Sequence, residues 1–151
     1  MTELSKIAKP KSLNLIGQSH GGWTALVVAL EVPVGTVDTI VSVDPISIRE
    51  CSSGSWLASS TAAAFGFGPA AGCTSYPSDL LVYSNSIKSR VNTWINFWQD
   101  QYSLLHSGPV DAAAENINLT FDDWSWNPMG AHAETETSEI VWNRAITLWS
   151  K

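Results

Sequence analysis

Ser19 stands in Gly17-Gln18-Ser19-His20-Gly21-Gly22, between one apolar run that enters the segment and a second that leaves it. The pattern reads as strand, sharp turn and helix, with the serine at the apex. A serine on such a turn is held at a strained backbone angle with its hydroxyl projecting from the sheet. The residues two before and two after it must be very small for the chain to double back, as Gly17 and Gly21 are. The amide of His20 then points into the start of the following helix, where it and the helix dipole would stabilise a developing oxyanion. G-x-S-x-G arises by accident in a chain of this size about one time in twenty. A strand before it and a helix after it make accident rarer and favour a nucleophile.

A serine hydroxyl attacks poorly until a base takes its proton, and the base needs an acid to fix its tautomer. Three histidines are available. His20 follows the serine directly, so its side chain leaves the turn in another direction. His106 lies between the third and fourth predicted strands, and His132 follows the fourth in Met129-Gly130-Ala131-His132. For the acid, two strand ends each offer one residue, Asp44 and Asp100. Asp122 and Asp123 read as solvated turn residues.

The elements that must position these groups follow from hydrophobic periodicity. Residues 12–16 form the strand entering the turn, and residues 21–31 a helix with Trp23, Leu26, Val27 and Leu30 at core spacing, stopped by Pro33. Residues 37–43 are rich in β-branched side chains and end at Asp44-Pro45. They read as a second strand, parallel to the first because a helix lies between. Asp44 then shares the carboxyl edge of the sheet with Ser19, the edge where open α/β sheets place ligands and chemistry. Residues 46–89 lack sustained periodicity and read as a long flap, with a short helix near 59–65 and Trp56, Leu57, Phe65 and Phe67 as its apolar lining. Strands follow at 90–98 and 115–121, a loop at 124–131, and an amphipathic helix at 137–149. Asn118-Leu119-Thr120 matches a glycosylation signal, but inside a strand it reads as accidental. The expected fold is one α/β domain, a mostly parallel sheet of about four strands with flanking helices.

With its turn reading G-x-S-H-G-G, the chain resembles the α/β-hydrolase fold, and within it the serine lipases and esterases. The resemblance implies a carboxylic-ester hydrolase that forms an acyl-enzyme on Ser19, with the His20 amide as an oxyanion donor. It implies His132 as the base, since the fold orders its triad Ser, acid, His. Asp44-Pro45 resembles the Asp-Pro that carries the acid in pancreatic-type lipases, while Asp100 stands where most members of the fold place theirs. A full fold of this type carries about four strands and a helix before the turn, and one of their loops supplies a second oxyanion amide. This chain reaches Ser19 without them, which implies the later part of a longer hydrolase, a shortened one, or a sheet completed by another chain. Loss of one oxyanion donor costs roughly a hundredfold to a thousandfold in rate. The alternative is an inactive, hydrolase-like binding module.

Composition narrows the partners. The chain has 151 residues, 44% of them hydrophobic, enough for a single core. Its net charge of -6 and scattered basic residues argue against nucleic acid. The resemblance to lipases and esterases implies a small ester or lipid substrate. The most apolar stretch, residues 23–30, is far short of the twenty or so residues that span a bilayer, and residues 1–11 lack the apolar core of an export signal. Cys51 and Cys73 are either two unrelated free thiols or, the favoured reading, a disulfide closing a loop of about twenty residues, worth roughly 3 kcal/mol in the chain-entropy model and implying an oxidising, secreted setting. Two cysteines without a nearby histidine are too few for zinc, so no metal and no cofactor is expected.

Overall fold

A computed structural model of the chain describes residues 12–46, 78–99, 101, 107–121 and 130–150. Four strands, β1 (Leu13–Gln18), β2 (Val37–Val43), β3 (Thr93–Trp98) and β4 (Glu115–Asn118), pair in the order β1-β2-β3-β4, and every pair is parallel. Helix α1 (His20–Glu31) joins β1 to β2, and α2 (Ser78–Lys88) precedes β3. After β4 come α3 (Gly130–Thr137) and α4 (Glu139–Trp149). This is the expected parallel α/β architecture.

Strand β2 is buried along nearly its whole length, because an inner strand of a parallel sheet is covered on both faces. One face packs Ile40 and Trp94 against Ala25, Leu26 and Ala29 of α1 and Ile87 of α2. The other packs Val41, Val43, Ile95 and Phe97 against Val141 and Ala145 of α4, with Ile16 of β1 alongside. Arg90 closes the far end of α1. Its guanidinium donates to the carbonyls of Ala29, Leu30 and Val32, at 3.1, 2.7 and 2.9 Å, acceptors that a helix terminus leaves open.

Several elements differ from expectation. Strand β1 runs two residues further than residue 16, into the turn itself. The buried stripe of α1 is Gly22, Ala25, Leu26 and Ala29, with Trp23, Val27 and Leu30 only half-buried. Small side chains let the helix lie close on the sheet, so the larger ones flank the contact. Helix α2 occupies the end of the region read as a flap. Over residues 83–88, where burial is described, Ser84 and Ile87 are the buried positions, three apart, and one of them is a serine. The single helix expected over 137–149 begins after a break at Ser138, whose ψ of 118° is extended, and a separate helix precedes it. Strands β3 and β4 are shorter than their predicted ranges. The predicted helix at 59–65, the apolar flap residues, and Cys51 and Cys73 all lie outside the described residues.

Candidate active site

The turn after β1 is built by close backbone approach. A Cβ on Gly17 would lie 2.3 Å from the Gly21 carbonyl oxygen, and one on Gly22 would lie 2.8 Å from the Gly17 carbonyl oxygen. Both contacts are backbone, so neither side can yield. A Cβ on Gly21 would meet nothing within 4 Å. The steric need therefore falls on Gly17 and Gly22, and the expectation that Gly21 must be small is corrected: its carbonyl, not its Cα, makes the contact. Ser19 caps α1 with φ 57° and ψ -129°. Its amide donates to the Val43 carbonyl at 2.9 Å, and its own carbonyl accepts from the amides of Gly22, Trp23 and Ile46. The turn is thereby tied to the end of β2. His20 begins α1, and its exposed ring stacks on Trp23, with centroids 5.3 Å apart.

At the end of β2, Asp44 has φ 40° and is fully buried. Ser19 and Asp44 are the non-glycine residues with positive φ among the described residues. Strain of this kind costs about 1–3 kcal/mol per residue and persists where the surroundings enforce it, commonly at functional sites. The Asp44 carboxylate receives three donors. Oδ1 accepts the Ser107 amide at 2.7 Å, and Oδ2 accepts Gln99 Nε2 at 2.9 Å and the His132 ring at 2.7 Å through Nδ1. Burying a carboxylate removes its water, and such a set of donors replaces those lost hydrogen bonds.

His132 follows β4 and precedes the last helix, as expected, and is buried on α3, a helix that the sequence reading did not place there. With Nδ1 facing a carboxylate, that nitrogen carries the proton and Nε2 presents a lone pair. Nε2 faces the end of β1, 3.4 Å from Gln18 Nε2. Ser19 itself makes no hydrogen bond to the ring among the described residues. The structure thus joins Asp44 to His132 and brings the ring to the residue beside Ser19. Asp100 and His106 lie outside the described residues.

Gln18, Gln99, Ser107 and Thr135 were not singled out from the sequence. Apart from the bond of Thr135 to the His132 carbonyl three residues earlier, their partners lie far along the chain, 63 residues away for Ser107 and Asp44, so no local spacing signals them. The segment carrying Ser107 is itself anchored by a polar ladder across three strands. Ser42 donates to Asn96 Oδ1 at 2.9 Å, Asn96 Nδ2 donates to Asn116 Oδ1 and to the Gly108 carbonyl, and Asn116 exchanges bonds with the backbone of Val110. In-register pairing of Ser42 with Asn96 and of Asn96 with Asn116 makes that ladder possible. Set against protein families, curated proteins and solved structures, the chain finds no match in any of the three. Among the described residues no acidic, histidine or cysteine cluster is suited to a metal, and no helix is long and apolar enough to cross a membrane.

Proposed function

We propose that this chain is a carboxylic-ester hydrolase of the lipase or esterase kind, resembling the α/β-hydrolases, with Ser19 as nucleophile, His132 as base and Asp44 as acid. The observation that carries the reading is the buried Asp44–His132 hydrogen bond of 2.7 Å at the same sheet edge as the strained Ser19. Ser19 Oγ attacks the ester carbonyl carbon while His132 Nε2 takes the hydroxyl proton. Asp44 stabilises the imidazolium that results. The carbonyl oxygen becomes an oxyanion that accepts from the His20 amide at the start of α1. Collapse breaks the bond to the alkoxy oxygen, which leaves as an alcohol with the proton from His132. Water, deprotonated by the same ring, then attacks the acyl-Ser19 carbonyl and releases the carboxylic acid.

The test is turnover of short-chain and medium-chain nitrophenyl esters by the wild type and by Ser19→Ala. Hydrolysis by the wild type that falls at least about a thousandfold in Ser19→Ala supports the reading. Equal rates in the two overturn it.

A second reading, a binding module that pairs with another chain, is favoured by the position of β1. It stands at the edge of the described sheet, where an edge strand leaves a row of backbone donors and acceptors open. Beside it runs a groove lined by Ile16, Val43, Val141 and Trp142. Folded protein that hydrolyses no ester and sediments as an oligomer would favour this second reading.

A further inference from the structure

Alternation along β1 sets Gln18 on the same face as Ile16, toward α3 and α4. Its Nε2 lies 3.0 Å from the His132 carbonyl oxygen, 3.3 Å from Thr135 Oγ1 and 3.4 Å from His132 Nε2. The Thr135 hydroxyl donates to the His132 carbonyl at 2.7 Å, so it turns a lone pair toward Gln18. The ring nitrogen is also an acceptor, because the proton sits on Nδ1 against Asp44. Three acceptors converge on one nitrogen, which orients the carboxamide with its NH2 group toward α3.

We propose that Gln18 is a positioning residue for the base, a role that rests on the Ser19–His132–Asp44 reading. It holds His132 by backbone and ring together and supports, from the side opposite Asp44, the tautomer whose Nε2 lone pair is free to take a proton. The two amide hydrogens are spread over three acceptors, and the longest contact is the one to the ring. When Ser19 Oγ–H engages Nε2, the carboxamide gives up that contact and keeps its bonds to the His132 carbonyl and Thr135. The helix carrying the base stays in place while the ring exchanges one donor for another. Gln18 touches no reacting atom of the ester, so its removal acts on kcat through the base and spares KM.

The experiment combines steady-state hydrolysis of nitrophenyl butyrate with nitrogen-15 spectra of the histidine rings in wild type, Gln18→Leu and Gln18→Glu. Wild type shows His132 with its proton on Nδ1. Gln18→Leu lowers kcat about tenfold with KM within about twofold, the loss of one modest hydrogen bond and of a fixed ring. In Gln18→Glu a second carboxylate faces Nε2, so both ring nitrogens carry protons at neutral pH and kcat falls about a hundredfold. Wild-type kcat and ring signals in both folded variants overturn the proposal. So does a slower Gln18→Leu paired with unchanged ring signals in Gln18→Glu, which leaves Gln18 as a structural tie. If Gln18→Leu does not fold, the nearly isosteric Gln18→Glu decides alone. The ring spectra need no turnover. A wild type whose Ser19 resists fluorophosphonate therefore defeats the hydrolase reading without touching the ring result, while a labelled wild type with indifferent Gln18 variants defeats only this proposal.

Discussion

Replacing Asp44 by Asn keeps the side chain's shape and removes its charge, at a position where three donors converge. An amide can accept on only one of its two heavy atoms. If its oxygen stays with the Ser107 amide, its NH2 meets Gln99 Nε2, another donor, and forces His132 Nδ1 to become the acceptor. The ring proton then moves to Nε2, where it blocks proton transfer from Ser19. If the amide flips, its NH2 opposes the Ser107 amide. The first arrangement disables the base, and loss of the correct tautomer costs about ten-thousandfold in serine proteases. Ester hydrolysis is less demanding, so turnover is expected to fall at least about a hundredfold, or roughly 2.7 kcal/mol of transition-state stabilisation. The same change leaves a buried donor conflict worth about 3 kcal/mol, which for a chain of this size lowers Tm by roughly 6–12 °C. Rates must therefore be read well below the variant's Tm, with circular dichroism confirming the fold. Asp100→Asn, measured in parallel, is expected to change turnover less than about tenfold. A folded Asp44→Asn within tenfold of wild type, or a dominant effect of Asp100→Asn, would refute the reasoning.

Two further predictions concern the scaffold. Gly17→Ala drives a Cβ into the Gly21 carbonyl and is expected to abolish soluble expression or lower Tm by more than about 10 °C, whereas Gly21→Ala, whose Cβ has open space, should melt within about 3 °C of wild type. Equal melting temperatures for the two would remove the steric account of the turn. Arg90→Met strips three carbonyls at the end of α1 of their donor. A loss of about 1–3 kcal/mol is expected in urea unfolding, and an unchanged midpoint would show that water replaces the guanidinium without cost.

How much of this was legible depended on the range of the interaction. The ends of β2 follow from a β-branched run closed by Asp44-Pro45, a signal contained in a few residues. The turn at Ser19 is equally local, although which glycines are sterically required depends on how the chain folds back. Helix α3 was missed because Gly130, Thr135 and Thr137 are weak helix formers, so its stability comes from packing and from contacts such as Gln18. Ser42 and Asn96, both fully buried, and Asn116 at the exposed end of their ladder all read along the chain like solvent-facing positions, and only the register between strands reveals that they satisfy one another. Asp44 and His132 could be nominated from strand ends and chain order, but their contact spans 88 residues. The donors around them belong to the same long-range class.

Activation of Ser19 as a nucleophile is read out by where a fluorophosphonate attaches covalently to the chain. Its phosphorus takes the Ser19 oxygen and expels fluoride only where a base removes the hydroxyl proton. One adduct per chain is expected, mapped by peptide mass to Ser19, absent in Ser19→Ala and formed at least about a hundredfold more slowly in Asp44→Asn. Folded wild-type protein that acquires no adduct, or an adduct on a serine other than Ser19, would contradict it.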